Sequence, residues 1–439
     1  MTAAPPLRLG PRPLALHLLT AYGTWLSSRA ALPLLKSGSL PWRLEFAVAA
    51  KRLQGKLAEV ELDDILGALD AELSARADAF LAGLTRYRRH PYRRAASDPP
   101  VLWQDGTTRV LDYGAAGDPP VLLVPSLVNR AYILDLTPEK SLVRFLAAQG
   151  LRPLLVDWGS PGALERGFTL TDYIAGRLDA AAVAAADAAG AKLAVVGYCM
   201  GGLLALALAA RQPRLVRALA LLATPWRFHA ERAGQARLLG AFAEPFAVAF
   251  AALGVVPVDV LQALFAALDP LLALRKFTRF AALPQDSAAA TGFVALEDWL
   301  NDGIPLALPV ARECLGDWYG ADTPGRGLWR VAGMPVQAER VTQPSLVVVP
   351  AQDRIVPPAT AAALWTMLPA AERLQPPLGH IGMMVGGEAP REVWQPLARW
   401  LRRYGASSRS VHPMGSKKRR RGLSKENGRN ASWQRRDLQ

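Results

Sequence analysis

The segment Gly197-Tyr198-Cys199-Met200-Gly201-Gly202 sets a thiol among glycines. It joins the apolar run LAVVGY (193–198) to an Ala/Leu-rich stretch with helical character. A strand that turns sharply into a helix around such a residue is a nucleophile elbow of the G-x-S-x-G type, here with Cys in place of Ser. The chemistry is covalent catalysis by a sulfur nucleophile. A residue at the tip of so tight a turn has strained backbone angles, so its neighbours must lack side chains, which Gly197 and Gly201 provide. The helix N-terminus behind it presents backbone N–H groups and a positive dipole end, both favourable to a thiolate and to a developing oxyanion. The plain alternative is a buried packing cysteine. Strand, glycines and helix together favour the nucleophile.

An elbow nucleophile requires an acid and then a histidine, in that chain order. Asp353, in Ala351-Gln352-Asp353, follows the apolar run SLVVVP and lies 154 residues past Cys199. His380, in Gly379-His380-Ile381-Gly382, follows 27 residues later and is one of five histidines. In this arrangement His380 takes the thiol proton and Asp353 orients the imidazole and stabilises its charged form. Asp302 in LNDG is the rival acid, but no apolar strand precedes it. The oxyanion hole is expected from the N–H of Met200 and one N–H of the loop PSLVNR, with Leu127 first and Val128 next. Cys314, the other cysteine, reads as packing. The two cysteines stand 115 positions apart with no CxxC, which predicts neither a disulfide framework nor a metal site and fits a reducing compartment.

These residues need a frame that holds them at strand ends. VLLV (121–124), LRPLLVDW (151–158), LAVVGY (193–198), ALALLAT (218–224) and SLVVVP (345–350) are short apolar runs alternating with helical stretches. Strands apolar on both faces predict a mostly parallel sheet covered by helices on both sides, an α/β fold. About 120 residues separate the last two runs, and this block (225–344) is very apolar but cut by Pro245, Pro257 and Pro270. Runs near eleven residues are too short to cross a bilayer, so an inserted helical cap is expected. Residues 1–95 read as a helical N-terminal extension, because LALHLLTAYGTWL is interrupted by His17 and 44–85 carries helical spacing of Leu and Ala. The catalytic domain is expected over 96–405, and 406–439 reads as a basic disordered tail.

The formal charge of +14 over 439 residues, with a pI near 10.2, invites a nucleic-acid reading. The tail alone carries +8 and the stretch RYRRHPYRR adds +5, so the remaining body is close to neutral. A solvated terminal run explains the charge without a specific nucleic-acid partner.

VPSLVNRAYILDLTPEKSLVRFLAAQG, LLVDWGSPG, GYCMGG, AQDRIVPP and GHIG, in that order over residues 101–400, resemble the polyhydroxyalkanoate synthases, and the short form in particular. The resemblance implies an α/β-hydrolase-like fold with Cys199, Asp353 and His380 at the family's Cys, Asp and His positions. It implies (R)-3-hydroxyacyl-CoA as substrate, polyester as product and free CoA released, the CoA thioester being substrate with no cofactor. It also implies cytoplasmic location on polyester granules and action with a helical partner subunit or as a homo-oligomer. The family commonly has His directly after the acid, whereas Arg354 stands here. A Cys-dependent hydrolase (thioesterase or polyester depolymerase) and a non-catalytic granule coat are the alternatives on this fold.

Overall fold

The computed structural model describes residues 8–95 and 99–405. The basic tail expected from residue 406 lies outside the described residues.

Eight strands form the central sheet. They are β1 (Val101–Asp105), β2 (Thr108–Asp112), β3 (Pro120–Val124), β4 (Arg152–Asp157), β5 (Leu193–Tyr198), β6 (Val216–Leu222), β7 (Ser345–Val348) and β8 (Ala371–Leu374). Their spatial order is β1-β2-β4-β3-β5-β6-β7-β8. All pairings from β4 through β8 are parallel, while β1–β2 and β2–β4 are antiparallel. The apolar runs expected as strands supply the five central ones. The edge strands β1, β2 and β8 carry Gln, Asp, Arg and Glu among their apolar residues, so periodicity does not mark them. The β1–β2 hairpin turns at Gly106-Thr107, with Gly106 at φ +57°.

Side chains alternate along the central strands and divide the core into two faces. Leu122, Val195, Leu219 and Val347 point toward α5 (Asp179–Ala189) and α6 (Met200–Arg211). Leu123, Val196, Ala220 and Val348 point toward α4 (Leu142–Ala148) and the terminal helix Gln395–Gly405. Both faces are therefore covered.

The N-terminal extension consists of α1 (Leu14–Ser37), α2 (Ala47–Ala58) and α3 (Leu62–Arg89). Between β6 and β7 lie α7 (Ala233–Gly240), α8 (Ala243–Ala249), α9 (Val258–Ala266), α10 (Leu272–Ala281), α11 (Ala288–Asn301) and α12 (Leu308–Glu313). Pro257 is the residue before the first turn of α9, and Pro270 stands between α9 and α10. Among the described residues no helix is long and apolar enough to cross a membrane.

Helix α3 packs on α10 through Phe80, Tyr87 and Phe277, all fully buried, and the three rings meet edge to face. Gly83 makes this possible, because a Cβ there would collide with the Phe277 carbonyl. Several arginines of RYRRHPYRR engage local structure. Arg88 donates to Gly10 O at 3.2 Å, Arg93 to Tyr92 O at 2.7 Å, and Arg94 pairs with the buried carboxylate of Asp135 at 3.2 Å. Arg144 meets the same carboxylate at 2.7 Å. Arg88, Arg93 and Arg94 thus satisfy carbonyls and one buried acid, while Arg86, Arg89 and Arg93 remain exposed.

Candidate active site

Strand β5 delivers Cys199 to the sheet's C-terminal edge, where α6 begins. Cys199 sits at φ 55°, ψ −128°, a conformation that costs a non-glycine residue on the order of 1–3 kcal/mol. Neighbours hold it there. Its N–H donates to Leu222 O on β6 at 2.8 Å, and its carbonyl accepts from Gly202 N at 2.9 Å. The glycines are needed for space. A Cβ on Gly197 would strike Gly202 Cα, one on Gly201 would strike the carbonyls of Val124 and Pro125, and one on Gly202 would strike Thr224 Oγ1. Gly202, which the reading of the motif left without a role, is as tightly enclosed as the other two.

Asp353 follows β7 and is buried. Its Oδ1 accepts from the N–H groups of Ile355 at 2.9 Å and Val356 at 2.8 Å, leaving Oδ2 to accept from His380 Nδ1 at 2.7 Å. That pairing fixes Nδ1 as the donor and turns Nε2 away from the carboxylate. The Cys199 side chain interacts with the imidazole as well. Burial alone would lower the His380 pKa. The negative charge of Cys199, the two hydrogen bonds and the Asp353 charge outweigh burial, and the pKa is pushed up to about 10.

The other expected positions separate clearly. Asp302 is half-exposed and engaged by Arg130 at 3.0 Å and the Tyr132 hydroxyl at 3.2 Å, away from His380. In the loop after β3, the Val128 N–H is taken by Ser126 Oγ at 3.0 Å. Among the described residues the N–H groups of Leu127 and Met200 have no hydrogen-bond partner. The Leu127 side chain is buried in the core, which anchors this loop. Trp158 Nε1 donates to Pro125 O at 3.0 Å and holds the same loop against the elbow.

Cys199 opens into an apolar cavity of about 230 Å³ beneath the helices inserted after β6. Leu203, Leu239, Phe246, Leu261, Phe265 and Trp318 supply much of its wall. The exposed polar side chains Arg232, Gln235 and Arg354 border it. Cys314 packs, as expected, but it does so in the wall of this cavity. Burial pushes its thiol pKa up, and Glu313 and Asp317 push the same way, so it remains a neutral group. The structure adds Tyr198, whose ring covers the imidazole of His380. Its place beside Cys199 in the chain hints at proximity to sulfur but carries no sign of a histidine 182 residues away.

A sequence model described as the alpha/beta hydrolase fold matches residues 119–387. The chain is 32% identical over 288 residues to the poly(3-hydroxyalkanoate) polymerase subunit PhaC of Allochromatium vinosum, a match covering 64% of this chain and 80% of that protein. It is 33% identical to the PhaC subunit of a Synechocystis species, covering 64% of this chain and 77% of that one. It is 31% identical to the PhaC subunit of Haloferax mediterranei over 69% of this chain, a match that spans only 63% of that longer relative. On these matches and the eight-stranded sheet with its elbow, the chain belongs to the poly(3-hydroxyalkanoate) polymerase family of the α/β-hydrolase superfamily.

Proposed function

We propose that the chain polymerises (R)-3-hydroxyacyl groups from CoA thioesters into polyester by way of a thioester on Cys199. The observation that carries this reading is the Asp353–His380 pair at 2.7 Å, whose imidazole interacts with a cysteine that opens into an apolar cavity. Family membership supplies the substrate class.

In the first step the Cys199 sulfur attacks the thioester carbonyl, and the oxyanion is held by the N–H groups of Met200 and Leu127. The carbon–sulfur bond to CoA breaks, and His380 gives its proton to the departing thiolate, so that free CoA leaves. In the second step His380 accepts the proton of a chain-end hydroxyl as its oxygen attacks the Cys199 thioester. An ester bond forms, the Cys199–acyl bond breaks, and the thiolate returns beside a protonated imidazole. Exchange of one thioester for another keeps the acyl group activated, which a serine ester would not. Asp353 keeps the imidazole oriented in both steps and stabilises its charged form whenever it carries the proton. The apolar cavity favours a chain-end hydroxyl over water at the second step. CoA enters as part of the substrate, with no separate cofactor.

The relatives are named as subunits, which fits action beside a helical partner subunit or as a homo-oligomer at the polyester granule. Leu19, Leu26, Leu44 and Val48 on the N-terminal segment are exposed and offer apolar surface for such contacts.

The test is incubation of the full chain with (R)-3-hydroxybutyryl-CoA, following thiol release and the physical state of the product. Thiol release with insoluble polyester is the expected result. Thiol release with only soluble hydroxy acid overturns it in favour of a thioesterase. Cys199→Ala should abolish release, and retained turnover would remove Cys199 from the chemistry.

A further inference from the structure

After α12 the chain passes into a π-helical stretch, Cys314–Gly320, before it leaves toward β7. The wider winding adds a residue to the turn, a device found often at functional sites. Here it sets Cys314, Trp318 and Tyr319 on the cavity wall together. The Tyr319 ring is held edge-on by Phe228 at 4.9 Å, and its carbonyl is fixed by His229 Nε2 at 2.8 Å. Gly240 lets α7 lie directly against this segment, since a Cβ there would meet Gly320.

The phenol hydroxyl is chemically conspicuous. Among the described residues it has no hydrogen-bond partner; the cavity's other hydroxyls belong to Ser126, whose Oγ accepts from Val128 N at 3.0 Å, and to the buried Thr360. Arg232, Gln235 and Arg354, the other long polar side chains bordering the cavity, are exposed to solvent. Burial raises the phenol pKa, and negative charge on Cys199 raises it further, so the group remains a neutral O–H on the cavity that Cys199 shares.

We propose that the Tyr319 hydroxyl recognises the 3-hydroxyl of the acyl group that Cys199 accepts, and so selects hydroxyacyl over plain acyl thioesters. The inference rests on the acyl-transfer reading above. A plain acyl chain satisfies the apolar wall equally well. A substrate hydroxyl gives the phenol a partner and is itself given one within a largely apolar wall. Sites built to hydrogen-bond a substrate hydroxyl reject analogues that lack it far better than apolar walls reject an added methylene.

The experiment compares single-turnover acylation of Cys199 by (R)-3-hydroxybutyryl-CoA and butyryl-CoA, read as thiol release and as mass added to the protein. The wild-type chain should favour the hydroxyacyl substrate by about tenfold or more, one engaged hydrogen bond's worth. Tyr319→Phe should bring the two rates within about threefold, chiefly by slowing the hydroxyacyl reaction. Phe228→Leu, which loosens the ring but leaves the hydroxyl, should keep a preference for the hydroxyacyl thioester. Equal wild-type rates on the two substrates overturn the proposal without need of any variant, as does an unchanged preference in a folded Tyr319→Phe. Failure of both thioesters to acylate wild-type Cys199 instead overturns the acyl-transfer reading and the inference with it.

Discussion

Tyr198 and His380 stack with ring centroids 5.1 Å apart and planes inclined by 30°, and the Tyr198 hydroxyl donates to the His380 carbonyl at 3.1 Å. Strand β5 thus supports the histidine from the residue beside the nucleophile. Both ends of the imidazole's loop are held, one by Asp353 through Nδ1 and the other by Tyr198 through the backbone. Tyr198→Phe should keep the stack and lose the bond, leaving a buried carbonyl unpaired at a cost of roughly 1–3 kcal/mol. Urea denaturation checks the stability loss. In kinetics kcat should fall while KM stays near the wild-type value, because the tyrosine positions the base and does not line the cavity.

The elevated His380 pKa has a definite sign. Its folded value of about 10 exceeds the ordinary 6.5, so the charged imidazole stabilises the folded state. That contribution is complete below about pH 6.5 and is lost as the pH rises through about 10. In Cys199→Ala the sulfur's charge and hydrogen bond are both gone, so the imidazole should titrate at lower pH than in the wild type. NMR titration of the ring protons measures both midpoints. A wild-type midpoint near the ordinary value would remove the thiolate–imidazolium pair from the mechanism.

Asp353→Asn preserves shape but removes the charge and permits the wrong imidazole tautomer. Acyl transfer should slow by roughly a thousandfold to ten-thousandfold, as in triads of this arrangement. Burst-phase thiol release resolves whether both half-reactions suffer, which the shared use of His380 requires.

Gly202→Ala should destabilise the chain by roughly 1–3 kcal/mol, the usual cost of overpacking, because the new Cβ overlaps Thr224 Oγ1. Adding Thr224→Ala removes that atom and should recover part of the loss. A double-mutant cycle by urea denaturation reads the coupling directly.

Phe277→Ala should cost about 3–5 kcal/mol at the seam between α3 and α10. Limited proteolysis should then cleave within residues 62–89 faster than in the wild type, with cleavage in the sheet domain unchanged. Equal protection of both regions would show that α3 is held by other contacts.

The chain alone determined a good deal. Apolar runs mark β3 to β7 because a doubly covered strand must be apolar on both faces. Glycines mark the elbow because no other residue fits there. The order of Cys199, Asp353 and His380 follows from strands that deliver their C-terminal ends to one edge of a parallel sheet. The edge strands were not legible, since half-covered strands mix polar and apolar residues. Tertiary structure alone decided the rest. It occupied Asp302 with Arg130 and paired Arg94 with the buried Asp135. It also brought Tyr198 over His380 and Tyr319 into the cavity of Cys199. Local sequence encodes backbone strain, burial and periodicity. Contacts between residues distant in the chain depend on how whole elements pack, and no spacing within one segment records them.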